Sequence, residues 1–435
     1  MASFPVRSPE MQVVLQSFSD VGCVESSERS GTGALATILV CSEDSTHPTG
    51  DEDAVGRFSH DSSNEERPMR MRRRTFLQAG LVTALGTPLL AALRQERLDE
   101  AAEVLAKATA SGQVESAVMH VTQRDASFTR HFGKARSEHA MFLLGSISKP
   151  ICITALMTLF DQKKFGLDDP VKKFIPKFSG DGRDQVTMKH LLTHVSGLPD
   201  QLADNNSLRK AHAGLPEFVE GAIRTPLQFA AGSKYQYSSM AILLATRVAE
   251  IISGTGILEL VDRTVFRPLG MKHSAQGLGR FALGDMVSCQ TEHAAPEAGA
   301  GDPSAKDWDW NSPYWRKLGA PWGGTHASAP DVGRFLAEFL LEQGKAVKPA
   351  TAKLMTSNHN AAGQTPRGLG FSIGAAAGSQ GCSEKTFGHT GSTGTIAWAD
   401  RATETLCVVL TSLPARAVQS HPRDVAAQRA AAAAK

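Results

Sequence analysis

No two of the six cysteines (Cys23, Cys41, Cys152, Cys289, Cys382 and Cys407) stand in C-x-x-C spacing. That excludes a paired-cysteine zinc or redox motif, and six thiols are too few to staple a chain of 435 residues. Cys152 and Cys407 sit in apolar runs and read as core. The sequence leaves open whether Cys289 and Cys382 pair. An excess of either charge is also missing. Lys and Arg number 46 against 44 Asp and Glu, a net +2, and aromatics make up only 6%. With one short arginine cluster as the only basic block, no nucleic-acid partner is expected. There is no G-x-S-x-G elbow, no G-x-x-x-x-G-K-[ST] phosphate loop and no H-E-x-x-H zinc motif. His190 and His194 are four apart, but no third ligand accompanies them, so no metal or cofactor is implied.

The composition that remains, 41% hydrophobic and 21% charged, suits a large globular core in two lobes. Residues 1–68 stand apart. They hold twelve Asp and Glu against four Lys and Arg, a net −8, and are rich in serine. They read either as disordered or as lying upstream of a translation start at Met69 or Met71; the character of residues 69–92 favours the second reading. Those residues run from a basic start through a mildly apolar stretch to small residues, as a secretory signal does. Arg73-Arg74-Thr75-Phe76-Leu77 resembles a twin-arginine signal, which implies a periplasmic or secreted protein. The apolar stretch is too short and too rich in Gly, Ala and Thr to span a membrane, so no stable span is expected once the signal is removed.

From residue 93 the periodicity predicts one folded domain. A helix is expected over 98–109, then strands over 114–121 and 127–132. Helical pieces follow over 187–194, 216–223, 238–253, 256–267 and 329–343, broken by Gly and Pro. Strands return over 369–373, 385–389, 393–399 and 405–410, and a helix over 424–434 closes the chain. Helix and strands at both ends imply an α/β (α+β) fold. Its sheet lobe is built from 93–165 and 346–435, and its helical lobe from 166–345.

Gly145-Ser146-Ile147-Ser148-Lys149-Pro150 opens a further helix, with Ile151, Ile153, Leu156, Met157, Leu159 and Phe160 at helical spacing behind it. Ser146 and Lys149 are three apart and leave one face of that helix. A serine hydroxyl needs a base within hydrogen-bond reach. A lysine serves as that base only in its neutral form, which burial or a neighbouring cation favours. A second S-x-x-K, Ser207-Leu208-Arg209-Lys210, follows Asp204-Asn205-Asn206 and reads as a solvated loop or short helix.

Two more stretches complete a set. Tyr235-Gln236-Tyr237-Ser238-Ser239 precedes a helix, and His389-Thr390-Gly391-Ser392 lies on a strand. With Ser146 and Lys149 they resemble the three motifs of the serine β-lactamase, DD-peptidase and esterase superfamily. Connecting pieces such as His194-Val195-Ser196-Gly197-Leu198-Pro199, Arg267-Pro268-Leu269-Gly270-Met271 and Trp322-Gly323-Gly324-Thr325 look like its class C branch. The resemblance implies an antiparallel sheet flanked by the terminal helices. It implies Ser146 as nucleophile, Lys149 as its base, and Tyr237 as proton shuttle to the leaving group. The oxyanion hole would be the backbone N–H groups of Ser146 and Ser392. Ser239, His389, Thr390 and Gly391 would bind substrate.

Two positions depart from the commoner pattern. Ser239 stands where many members have Asn, and His389 where β-lactamases have Lys. A mostly neutral His gives less fixed charge against a substrate carboxylate. The expected function is therefore a secreted serine hydrolase acting through an acyl-enzyme on an ester, lactone or D-amino-acid amide, with a small molecule or cell-wall peptide as substrate and β-lactams ranked lower. The alternative is a non-catalytic binding relative. His389 is expected to face the substrate and titrate near 6.5, so that carboxylated substrates bind better below that pH.

Overall fold

The computed structural model describes residues 94–435. The expectations for residues 1–68 and for the export signal at 69–92 lie outside them. Among the described residues the helices are α1 (94–110), α2 (Ser148–Asp161), α3 (Met188–Leu192), α4 (Asn205–Lys210), α5 (Leu215–Arg224), α6 (Ser239–Ser253), α7 (Ile257–Val261), α8 (Pro313–Leu318), α9 (Ala329–Leu340), α10 (Pro349–Met355) and α11 (Pro422–Ala433). The strands are β1 (Ser116–Gln123), β2 (Ala126–Gly133), β3 (Phe142–Leu143), β4 (Ser274–Gln276), β5 (Thr325–Ala327), β6 (Ser372–Ile373), β7 (Thr386–Gly391), β8 (Thr395–Asp400) and β9 (Thr405–Thr411).

The main sheet runs β2–β1–β9–β8–β7–β6, antiparallel throughout. Pairing of β1 with β9 joins the two ends of the described chain, with Val118 opposite Leu410 and His120 opposite Val408. The side-chain alternation of a strand then sorts residues onto two faces. Met119, Val121, Ile396, Trp398, Cys407 and Val409 pack under α1 and α11, whose Ala101, Ala426, Ala427 and Ala430 let the helices approach closely. Val118, Ala397, Ala399, Leu406, Val408 and Leu410 face the other way, into the larger core shared with α2, α6 and α9.

Helix α2 is the axis of that core. Every residue from Ser148 to Leu159 is buried. Its apolar side chains surround the helix rather than forming one stripe, so it needs packing on all sides. The polar exceptions are satisfied locally: Thr154 and Thr158 donate to the carbonyls of Pro150 (2.7 Å) and Ala155 (2.8 Å). Pro150 lies in the first turn, where its missing N–H costs nothing.

The structure departs from expectation in three places. The strand foreseen over 369–373 shrinks to β6, because Gly370 turns left-handed (φ 84°) and the Leu369 N–H goes to the Met355 carbonyl instead. The segment 166–345, expected to be helical, contributes β4 and β5, which join β3 in a small sheet, β3–β5–β4, that such short runs did not announce. Lys163-Lys164-Phe165-Gly166, cations and then glycine, reads as the C-terminus of α2, yet the helix stops at Asp161 and Lys163 already takes a left-handed φ of 60°. The four described cysteines are free, so Cys289 and Cys382 are not bridged.

Candidate active site

Strand β7 and the start of α2 are stitched together, and this places the site. Gly145 turns the chain with φ 56°, a conformation only glycine adopts at little cost. A side chain there would press on Thr393 Oγ1 at 3.0 Å and on the Ser392 nitrogen at 3.2 Å. Gly391 answers from the other side: any Cβ would collide with the Leu144 carbonyl oxygen and the Thr395 hydroxyl. Thr393 and Thr395 donate to the carbonyls of Leu143 and Leu144, each at 2.7 Å. Close backbone approach and two buried hydrogen bonds thus bring the Ser392 backbone against the turn that carries Ser146.

Ser146 is half-buried in a single 3₁₀ turn, Gly145–Ile147, that leads into α2. Lys149 is 1% exposed. Its Nζ lies 3.0 Å from Ser146 Oγ and donates to the Trp322 carbonyl at 2.8 Å. That second contact matters, because a carbonyl can only accept. Anchored there by one N–H, Nζ is held facing Ser146 Oγ. Ser148 Oγ accepts the Thr325 N–H at 2.9 Å and locks α2 against β5.

Tyr237 precedes α6, whose start is fixed by Ser238. The Ser238 hydroxyl accepts from the Ala241 N–H (3.0 Å) and donates to the Pro199 carbonyl (2.8 Å). Lys149 Nζ stands 4.7 Å from the centre of the Tyr237 ring. The tyrosine hydroxyl is buried and has no protein partner among the described residues. His194, the residue weighed as a possible chelator, lies under Tyr237 with ring centres 4.6 Å apart. Its Nδ1 accepts the Ser238 N–H at 3.1 Å, so its proton is on Nε2. Burial first, then the charges of Arg367 and Lys149, hold its pKa well below the usual value. Its place is beneath the site, as packing.

A cavity of about 150 Å³ opens on these groups, lined by Gly145, Ser146, Lys149, Tyr237, Ser239 and Ser392 together with Asp200, Gln201, Arg209, Glu297, Trp310, Trp315 and Trp322. Sequence reasoning had brought together the three motifs, and the structure does so too. It alters two of their details. Ser239 donates its one hydroxyl proton to Asp200 Oδ1 at 2.6 Å, and its N–H goes to the same oxygen at 2.9 Å. Toward a ligand its oxygen is therefore an acceptor, where an asparagine amide would donate.

His389 is the larger correction. It is 6% exposed and, with Thr390 and Gly391, does not line the cavity. Its Nδ1 donates to the Thr390 carbonyl at 2.7 Å, which leaves Nε2 to accept from Arg367 Nη2 at 3.4 Å. Burial, then the Arg367 and Lys149 charges, push its pKa well below 6.5. It is neutral at physiological pH and does not titrate where the sequence suggested. Thr390 is the exposed residue of that strand and Gly391 serves the close approach to Leu144.

Arg367, Asp200 and Arg209 escaped sequence reasoning. Arg367 is 4% exposed, 22 residues before His389, and nothing in its surroundings marks it. Asp200 directly follows Ser196-Gly197-Leu198-Pro199, a stretch read only as a connecting piece of the resemblance. Arg209 sits inside the second S-x-x-K. Ser207 and Lys210 there are exposed, as foreseen, while Arg209 turns inward and is 1% exposed.

The model of the Beta-lactamase family matches residues 101–432. "Esterase EstB" of Burkholderia gladioli is 34% identical over 158 residues, 33% of this chain and 40% of that protein. The match thus spans less than half of that relative. A penicillin-binding protein homolog from Caulobacter crescentus superposes with a TM-score of 0.65 at 20% identity, over 78% of this chain and 98% of that one. D-amino acid amidase from Ochrobactrum anthropi SV3 does so with a TM-score of 0.62 at 19% identity, over 77% and 98%. These two likenesses speak to the fold. With its family match spanning both lobes and all three motifs, the chain belongs to the Beta-lactamase family.

Proposed function

We propose that the protein is a serine hydrolase that works through an acyl-enzyme on a small ester, lactone or D-amino-acid amide. The observation that carries this reading is the Ser146–Lys149 pair, at hydrogen-bond distance with Nζ anchored on the Trp322 carbonyl. In the first step the Ser146 proton passes to the Lys149 amine and Oγ bonds to the substrate carbonyl carbon. Negative charge collects on the carbonyl oxygen, for which the backbone N–H groups of Ser146 and Ser392 are the donors at hand. Tyr237, with Lys149 over its ring, passes a proton to the leaving group as the C–O or C–N bond breaks. Water then takes the place of the leaving group and frees Ser146.

Two observations favour esters and D-amino-acid amides over β-lactams. His389 is neutral and supplies no cation from the third motif. The named relatives and neighbours include an esterase and a D-amino acid amidase. A panel of p-nitrophenyl butyrate, D-phenylalanine amide and a chromogenic cephalosporin tests the order. We expect kcat/KM for the ester or the amide to exceed that for the cephalosporin by at least about tenfold, the worth of one lost charged contact. Cephalosporin turnover equal to or above both would reject it.

Export is part of the same proposal. Arg73-Arg74 ahead of a short apolar stretch supports the twin-arginine route to the periplasm or medium. Changing both arginines to lysine is expected to hold the protein in the cytoplasm. Undiminished export of that double variant would refute the route.

A further inference from the structure

One wall of the cavity is rich in donors that have nothing to bond. Arg209 is 1% exposed, and its guanidinium carbon lies over Trp315, 3.7 Å from the ring centre. Its Nε and Nη1 are buried and have no partner among the described residues. Burial lowers its pKa to about 10, which leaves it charged at neutral pH. The indole N–H groups of Trp315 and Trp322, two more residues of that wall, are buried without acceptors among the described residues as well. An arginine and an indole can only donate. An unpaired buried charge is expensive, and leaving its donors unmade adds roughly 1–3 kcal/mol or more. A site tolerates such a wall when the missing acceptor arrives with the ligand.

The third motif supplies no cation here, since His389 is neutral and absent from the cavity lining, and the other lining cation, Lys149, stands beside Ser146. Asp200 is engaged by Ser239, and Glu297, whose charge Arg209 feels, leaves Nε and Nη1 unpartnered. The wall is deeply buried: Trp310, Trp315 and Trp322 are 3%, 2% and 4% exposed. A leaving group departs toward solvent, so the part taken to rest against these buried indoles is the one that stays on Ser146.

We propose that Arg209 and the two indoles form a carboxylate-reading subsite for the acyl group, so that the preferred substrates are short acyl esters or amides bearing a second, free carboxylate. This rests on the hydrolase reading above and adds the acyl class to it.

Monomethyl succinate and methyl butyrate form a matched pair, equal in acyl length and differing in the carboxylate. The native protein is expected to show the higher kcat/KM for monomethyl succinate. In Arg209→Met the ratio of the two constants should fall at least about tenfold, and Arg209→Lys should recover part of it. A ratio unchanged in Arg209→Met overturns the proposal while leaving the hydrolase reading intact. Failure to hydrolyse any ester, with no fluorophosphonate labelling of Ser146, counts against the hydrolase reading alone. A second measurement needs neither turnover nor a folded variant. Succinate at millimolar concentration is expected to raise the melting temperature of the native protein, and neutral succinamide is not. Equal shifts from both, or none from succinate, would overturn the subsite.

Discussion

Ser146→Ala is expected to abolish covalent labelling by a fluorophosphonate and to lower ester kcat/KM by about 10⁴-fold or more, the scale on which nucleophile knockouts act. Ser207→Ala, in the second S-x-x-K, is expected to leave both unchanged, because Ser207 is exposed on α4 and lines no part of the cavity. Lys149→Met should cost nearly as much as Ser146→Ala. The two groups act as a unit, and once Nζ is gone no other basic side chain is within reach of Oγ in the geometry described. The double variant should then lose little more than either single one, since residues of one unit are far from additive. The fold should survive Ser146→Ala, because Ser146 lies in a turn held by the backbone of Gly145 and by the Thr393 and Thr395 hydroxyls. Labelling that persists in Ser146→Ala, in a protein that melts normally, would remove the central residue of the reading.

Much of this was legible in the chain because the elements that matter have strong local signals. Helix α2 announces itself through Ile151, Ile153, Leu156, Met157 and Leu159, and β1, β8 and β9 through alternation and β-branched residues. S-x-x-K fixes the Ser146–Lys149 contact by helical spacing alone, so a short local pattern sufficed. What lay hidden depends on distance in space. Whether His389 is charged is decided by Arg367 and by burial, and no spacing between positions 367 and 389 encodes it. Ser239 as an acceptor follows from Asp200, 39 residues earlier. Arg209 was set aside with its exposed neighbours, since a six-residue helix does not reveal which side faces inward. Tertiary packing made that choice, through the face of Trp315.

The same packing is expected to make the protein acid-sensitive. Burial lowers His326 to about 3, His120 to about 4 and His421 to about 4, and holds His194 and His389 well below their usual value. In the unfolded chain each titrates near 6.5. Below that pH the unfolded state therefore binds more protons than the folded one, and stability falls as pH falls. The stabilisation is whole above about pH 6.5 and is lost progressively down to the folded values near 4 and 3. Each group contributes a slope of about 1.4 kcal/mol per pH unit. For His326, His120 and His421 together, a drop from pH 6.5 to 4.5 removes on the order of 6 kcal/mol, within the range of a whole domain's stability. Asp309, raised by burial, takes up its proton more readily in the folded state and opposes the trend, but it is one group. Melting temperature is thus expected to fall steeply between pH 6.5 and 4.5 and to be flat in comparison from 6.5 to 8. His120→Gln separates cause from correlation. His120 touches Thr129 Oγ1 at 2.8 Å under Gly333 and is not among the residues that line the catalytic cavity. Its replacement should lower stability at pH 7.5 yet reduce the acid slope by about one proton. Melting temperatures that hold constant down to pH 4.5, or a His120→Gln slope equal to the native one, would show that these histidines do not carry the acid response.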